Sequence, residues 1–214
     1  MATDETARVS RLHGIYAIVN ETGNVLDLAR ATLDAGIGII QYRAKRGIIP
    51  AHLRALREIT SHAGALLVVN DDWRAVIEFD CDGVHLGPDD DGFVDVAPVR
   101  EAIGTRLIGL SCGTVEEARE ANRLGADYIG VGSVYATASK ADAGDPIGIE
   151  GLRRVAAVAT MPVVAIGGIT AHNLEPVRQS GVAMAAVISA IAGASDPRAA
   201  ARDLVRRWNG DGEV

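Results

Sequence analysis

The stretch that decides the fold reads LLVVNDD and covers residues 66–72, four apolar residues followed at once by an amide and two carboxylates. Similar runs are IIQYRAK at 39–45, VHLGPDD at 84–90, LIGLS at 107–111 and VVAIGG at 163–168. Continuous apolar runs of this length are typical of strands that are buried on both faces of a parallel sheet. Polar groups directly after such strands fit a (β/α)8 barrel, whose active site lies where the strands end.

Segments with the apolar spacing of helices separate these runs, so the chain divides into eight strand–helix units of roughly 20–25 residues. We predict an α/β fold, a single (β/α)8 TIM barrel with its active site at the C-terminal ends of the strands. Residues 1–12 are predicted to form a polar N-terminal leader and residues 13–214 the barrel domain. The predicted strands cover residues 15–19, 38–42, 65–69, 83–86, 106–110, 127–131, 162–166 and 182–188.

Composition excludes several classes of protein. The net charge of −7 argues against broad nucleic-acid binding, which needs a basic surface. Two cysteines are too few for a disulfide framework or a zinc site. No stretch approaches the roughly 20 apolar residues of a membrane span, and the first residues contain no apolar signal region. We expect a cytoplasmic protein that binds neither nucleic acid nor membrane, and the sequence leaves its oligomeric state open.

Two aspartates follow neighbouring predicted strands, Asp71 after the third and Asp90 after the fourth. In a barrel these loops are adjacent on one face. Carboxylates from adjacent loops can hold Mg2+, which prefers oxygen ligands and keeps several waters for substrate phosphates. Ordinary turn chemistry is the alternative, because residues 70–72 can cap a helix and residues 89–91 can form a solvated loop.

Three polar side chains alternate at the end of the second predicted strand: Gln41, Arg43 and Lys45. Alternate residues of an extended segment point to the same side, so the amide and the two cations should face the same region. A guanidinium and an ammonium beside a Mg2+ site suit a diphosphate. The alternative is a strand end whose charged side chains reach into solvent.

Three further segments follow the last strands. Loops after strands seven and eight of such barrels often bind phosphate through backbone N–H groups. We therefore interpret the glycine pair at 167–168 and residues 188–191 as phosphate-binding segments and not as ordinary turns. The loop at 132–140 offers hydroxyls and a cation that can fold over a ligand, or it is a surface loop. Ser111 and His85 carry weaker signals, and each also fits a structural role in the core.

Taken in chain order, these motifs resemble the thiamine phosphate synthase family. The resemblance runs from residue 15 to the final helix. The motifs that carry it are QxRxK at 41–45, ND at 70–71, GVHLGxxD at 83–90, GVG at 130–132, TxSK at 137–140, GGIT at 167–170 and ISAI at 188–191.

The resemblance implies a transferase of thiamine biosynthesis that acts on small-molecule substrates. It would couple 4-amino-2-methyl-5-hydroxymethylpyrimidine diphosphate with hydroxyethylthiazole phosphate, or its carboxylated form, and release thiamine phosphate and diphosphate. It also implies Mg2+ as cofactor and a dissociative substitution through a pyrimidine cation.

The same resemblance assigns the site residues. Asp71 and Asp90 would hold Mg2+. Residues expected to bind the diphosphate are Arg43, Lys45, Asn70 and Lys140, and Gln41 and Ser111 would lie near the pyrimidine and the leaving group. Residues expected on the thiazole phosphate side are Thr137, Ser139, Gly168, Ile188 and Ser189. The catalytic residues implied are Arg43, Lys45, Ser111 and Lys140.

Other functions on the same barrel remain open at this point. A thiazole tautomerase-like isomerase would be expected to have a histidine after strand five, where this chain reads SCGT at 111–114. A non-catalytic barrel that binds thiamine precursors would be expected to lack the acids and cations that are present here. A different phosphate-binding barrel enzyme is a further alternative.

Overall fold

A computed structural model describes residues 4–137, 139 and 144–211. Eight parallel strands pair in chain order, and the last strand pairs with the first, so the predicted (β/α)8 barrel is confirmed. The strands are β1 (Gly14–Asn20), β2 (Ile39–Arg43), β3 (Leu66–Asn70), β4 (Gly83–Leu86), β5 (Leu107–Cys112), β6 (Tyr128–Val131), β7 (Val163–Ala165) and β8 (Met184–Val187).

Helices occupy the connections between the strands and also lie at both ends of the chain. They are α1 (Asp4–Val9), α2 (Val25–Leu33), α3 (Pro50–His62), α4 (Trp73–Glu78), α5 (Ala97–Ile103), α6 (Val115–Leu124), α7 (Gly148–Ala156), α8 (Leu174–Arg178), α9 (Ser189–Ala192) and α10 (Pro197–Trp208). Local sequence explains where several of them begin. Thr114 and Glu117 form a capping box at α6, and Asp196 accepts from the Ala199 N–H at the start of α10.

The strands pack two separate apolar clusters because successive side chains point to opposite faces of the sheet. The larger cluster lies between the barrel and the helices. The smaller one fills the interior of the barrel and includes Leu12, Tyr16 and Tyr128. Glycine makes room for the large rings, since a Cβ on Gly109 would lie 2.1 Å from the Tyr128 ring.

The segment predicted as a polar leader contains helix α1 and one core residue. Leu12 is 3% exposed, and Val9 packs against the same interior cluster. Arg8 Nε lies 3.8 Å from Asp82 Oδ1 at the start of β4. This segment therefore covers the N-terminal end of the barrel, because its few apolar side chains complete the interior cluster there.

Neither cysteine is in a disulfide bond. Cys81 and Cys112 are both buried, and burial raises the pKa of each thiol to about 12, so both stay protonated. Among the described residues, no helix has the length and apolar character needed to cross a membrane.

Candidate active site

A cavity of about 440 Å³ opens at the C-terminal ends of the strands. The structure brings to its wall every sequence-predicted site residue that lies among the described residues. These are Gln41, Arg43, Lys45, Asn70, Asp71, Asp90, Ser111, Thr137, Ser139, Gly168, Ile188 and Ser189. Lys140, the remaining prediction, lies outside the described residues.

Two carboxylates converge on one side of the cavity. Asp90 Oδ2 accepts from the Gly87 N–H at 2.6 Å, and Lys45 Nζ donates to Asp71 Oδ2 at 2.7 Å. Burial, together with the hydrogen bond and the charge of the neighbouring Asp71, raises the pKa of Asp90 to about 6. Two acidic groups share one site here, and their mutual repulsion favours binding of a cation.

The sequence allows two roles for residues 70–72, a metal site and a helix cap, and the backbone conformation separates the residues that could take them. Asp71 has φ of 70°, a left-handed conformation that is uncommon outside glycine, and its side chain lines the cavity. Asp72 instead caps helix α4 by accepting from the N–H groups of Arg74 and Ala75. The turn-chemistry interpretation therefore holds for Asp72, and the metal-ligand interpretation of Asp71 stays a prediction.

The pair fits Mg2+ by the chemistry of its donors. Asp71 and Asp90 supply oxygen atoms, and no group of three or more His, Cys, Asp or Glu side chains with metal-site geometry occurs in the described ranges. Mg2+ is commonly bound through one or two carboxylates, water and substrate phosphates. This donor set suits that ion better than zinc, which takes three or four protein ligands.

Donors for an anion surround the acid pair. Arg43 Nη1 donates to Asn20 Oδ1 at 3.2 Å, so the guanidinium is held at the cavity wall, and Lys45 is half-exposed nearer solvent. The Asn70 Nδ2 is buried and has no hydrogen-bond partner in the described part of the chain. A buried amide without a partner is costly unless a ligand or water accepts from it.

The floor of the cavity is a chain of hydrogen bonds that the sequence did not reveal. Gln41 Nε2 donates to Tyr16 Oη at 3.0 Å, and Tyr16 Oη lies 3.1 Å from Tyr128 Oη. His85 then bridges Tyr128 Oη at 3.2 Å and Ser111 Oγ at 3.1 Å. Burial raises the pKa of both tyrosines above its ordinary value, so they stay neutral.

A signal for this floor is present in the sequence as glycine inside strands. The structure places Gly130 against His85, where a Cβ would lie 3.0 Å from the ring. Glycine in a strand often marks a close approach by another group. Together with Gly109, it marks the interior positions at which large rings need space.

On the opposite side of the cavity, the loops after β6, β7 and β8 meet. Gly168 has φ of 66°, and a Cβ there would lie 2.5 Å from the Ala136 carbonyl oxygen. Ser139 Oγ lies 3.4 Å from Ser189 Oγ, which joins the first of these loops to the last. Asn173 Nδ2 donates to the Gly168 carbonyl at 2.9 Å and fixes the glycine turn, a contact that the sequence analysis missed.

Comparisons with known proteins show which proteins this chain is similar to. The family model described as thiamine monophosphate synthase matches residues 15–191. The thiamine-phosphate synthase of Moorella thermoacetica is 44% identical over 185 residues, which cover 84% of this chain and 86% of that protein. The solved structure of thiamine phosphate pyrophosphorylase from Pyrococcus furiosus is 35% identical with a TM-score of 0.83, and the match covers 94% of this chain and 97% of that one.

A longer relative also matches. The thiamine biosynthesis bifunctional protein ThiM/ThiE of Symbiobacterium thermophilum is 48% identical over 192 residues. The match covers 86% of this chain but 39% of that protein, so it concerns one part of the bifunctional relative.

Proposed function

We propose a reaction on the premise that this chain belongs to the thiamine monophosphate synthase family and is a transferase of thiamine biosynthesis. The substrates are 4-amino-2-methyl-5-hydroxymethylpyrimidine diphosphate and hydroxyethylthiazole phosphate, or the carboxylated form of the thiazole. The products are thiamine phosphate and diphosphate. The observation that carries the proposal is the acid pair with Lys45, Arg43 and the Asn70 amide around it. That amide has no hydrogen-bond partner among the residues that the structure describes.

The diphosphate end of the first substrate belongs at this cluster. Asp71 and Asp90 would hold Mg2+, which would stabilise the charge that develops on a departing diphosphate. Arg43 and Lys45 supply fixed positive charge at the same place, and the Asn70 Nδ2 gains the acceptor it lacks. Because this charge increases as the bond to diphosphate breaks, these groups stabilise the transition state more than the bound substrate.

Bond making and breaking then need no side-chain nucleophile. The C–O bond to the diphosphate breaks, and its electron pair leaves with the oxygen. The amino group of the pyrimidine supports the resulting cation, and the thiazole nitrogen contributes the lone pair that forms the new C–N bond. Gln41 and Ser111 lie on the polar floor, where they would orient the pyrimidine ring for this attack.

The thiazole phosphate belongs on the opposite side of the cavity. Thr137, Ser139 and Ser189 supply hydroxyl groups there, and Ile188 supplies an apolar contact. Gly168 lets the loop after β6 pack against the glycine turn, because a Cβ there would lie 2.5 Å from the Ala136 carbonyl oxygen. The phosphate would bind at the backbone N–H groups of the loops that this packing holds together. Lys140, which follows Ser139 directly, is assigned to the diphosphate by the family resemblance.

The test is diphosphate release from purified protein supplied with both substrates, with and without Mg2+, while thiamine phosphate is followed by mass. Mg2+-dependent product in equal amount to the diphosphate supports the proposal. Diphosphate release without thiamine phosphate would show that the thiazole is not the acceptor. Binding of either substrate without any product would instead favour the isomerase or the binding-protein alternative.

A further inference from the structure

A cluster of three side chains lies behind the cavity wall, next to the strand that carries the cations. Tyr42 Oη donates to Glu21 Oε2, and His52 Nδ1 lies 2.9 Å from Glu21 Oε1. Tyr42 is fully buried, and the Glu21 side chain is 13% exposed. None of the three lines the cavity, so the proposed reaction gives them no task.

Glu21 and its partners hold both ends of the β2–α3 loop, residues 44–49, the start through the Glu21 backbone and the end through the side-chain cluster. At its start, the Glu21 N–H donates to the Arg43 carbonyl oxygen at 2.8 Å. At its end, the Ile49 N–H donates to Tyr42 Oη at 3.2 Å. His52 lies in the first turn of α3, so the same carboxylate also fixes the helix that follows the loop.

Burial of the Glu21 carboxylate costs hydration free energy, and its two hydrogen-bonding partners compensate for that cost. Burial, followed by the hydrogen bond to Glu21, raises the pKa of Tyr42 above its ordinary value. The phenol therefore keeps its proton and acts as the donor to the carboxylate. Its oxygen still has a lone pair for the Ile49 N–H, so one hydroxyl connects the carboxylate to the loop.

We propose that Glu21 is a positioning residue for the diphosphate-binding cations. It fixes the β2–α3 loop before substrate arrives, so that Arg43 at the end of β2 and Lys45 within the loop are already in place. The proposal rests on the function proposed above, since that function assigns both cations to the diphosphate. Long cationic side chains on a loose loop would have to be ordered by the ligand itself, which weakens binding.

The test compares binding at the two sides of the cavity. In Mg2+ buffer, Glu21→Ala should weaken inorganic diphosphate binding, measured by calorimetry, by about tenfold, as expected for loss of a buried charged hydrogen-bond partner. The KM for the pyrimidine diphosphate should rise by a similar factor, and the KM for the thiazole phosphate should stay unchanged. Glu21→Gln should restore most of the affinity, because an amide can bond to both Tyr42 and His52.

Two histidines on α3 provide a matched control. His52→Ala removes one of the two side-chain partners of Glu21 and should raise the KM for the pyrimidine diphosphate by a smaller factor. His62 bonds to the Glu58 carbonyl at the far end of the helix, 2.8 Å away. His62→Ala should therefore leave both KM values unchanged.

Tyr42→Phe provides a second variant if Glu21→Ala does not fold, because it keeps the buried ring and deletes the hydroxyl. A role confined to stability would lower the melting temperature and change the two KM values equally, and that result would overturn the proposal. Unchanged diphosphate binding in the folded variants would overturn it as well. Failure of the unaltered protein to form product or to bind diphosphate would contradict the proposed function instead.

Discussion

The two ends of the barrel use aspartate in opposite ways. At the N-terminal end, Asp82 Oδ2 accepts from the Leu67 N–H at 2.9 Å and from Arg57 Nη1 at 3.0 Å. Asp127 repeats the pattern with an N–H of the neighbouring strand at 2.7 Å and an arginine at 2.5 Å. Each of these carboxylates ties the start of one strand to the strand beside it.

At the C-terminal end, two aspartates face each other instead. Asp90 has a pKa raised to about 6 and Asp71 has a left-handed backbone, so both conformation and charge are unfavourable there. The comparison teaches that carboxylates paired with arginine stabilise this fold, whereas two carboxylates that face each other oppose it, as expected of a site kept for a ligand. Stability and binding are thus separated at opposite ends of the same strands.

The largest expected effect follows from removing one charge at the binding end. Asp90→Asn should lower kcat/KM by about 10³-fold, or about 4 kcal/mol in activation free energy, through loss of transition-state charge stabilisation. The amide can still accept from the Gly87 N–H, so the fold should persist. Asp91→Asn on the same loop is the control, since Asp91 pairs with the exposed Arg74. Activity of Asp90→Asn within tenfold of the unaltered enzyme would contradict the metal assignment.

At the opposite end, Asp127→Ala should lower the free energy of unfolding by about 3 kcal/mol, because it leaves the Ile108 N–H without its acceptor and the Arg100 guanidinium without its carboxylate. Denaturant unfolding measures the loss, and kcat/KM per folded molecule should not change. A large loss of activity in the folded variant would show that the two ends are not separable.

A pair of glycines with similar backbones sharpens the comparison further. Gly168 at the binding end has φ of 66°, and Gly64 at the other end has φ of 64°. A Cβ on Gly168 would meet the Ala136 carbonyl oxygen, whereas Gly64 faces open space. Gly168→Ala should raise the KM for the thiazole phosphate by about 10–100-fold through misplacement of the loop.

The matched variant tests strain alone. Gly64→Ala should cost about 1 kcal/mol of folding stability, as expected for a left-handed alanine, and leave KM unchanged. Equal effects of the two substitutions on KM would contradict a phosphate position at Gly168.

The smallest expected effect is a gain in stability. In metal-free buffer at pH 7, Asp71→Asn should raise the free energy of unfolding by about 0.5 kcal/mol after solvent screening. The substitution removes like charge beside Asp90, and asparagine favours a positive φ, which together outweigh the lost ion pair with the half-exposed Lys45. The pKa of Asp90 is raised from 3.8 to about 6, so its ionisation costs stability above pH 6 and not below 4. The charge-related part of the gain should therefore disappear as the pH falls through this window. A loss of stability at pH 7 would contradict the idea that the pair opposes folding.

Much of the fold could be predicted because strands buried on both faces require continuous apolar runs. The predicted boundaries of the eight strands lie within two residues of the observed ones. Several strands extend past the apolar run at the C-terminal end, as where Arg43 pairs with Asn20. Backbone pairing does not depend on the polarity of the side chain, so the sequence pattern ends before the strand does.

For the candidate site, the sequence could predict only which residues lie at the ends of strands. Strand ends meet on one face of a barrel, which placed the acids and the cations together. The meeting of Tyr16 with Tyr128 could not be predicted, because nothing in local spacing tells which interior side chains touch across the barrel. The choice of Asp72 as the helix cap and Asp71 as the cavity residue was equally hidden, since one backbone angle decides it. The role of Lys140 stays a prediction.

The filled lower half of the barrel has a consequence for the order of events during turnover. Leu12 is 3% exposed and Tyr128 0% exposed, so the described side chains leave no passage beneath the polar floor. Both reactants and both products of the proposed reaction would then enter and leave through the same opening of the cavity. The proposed reaction joins the two reactants inside this cavity, so both must have entered before thiamine phosphate can leave. We therefore expect sequential kinetics, in which both substrates are bound before thiamine phosphate leaves.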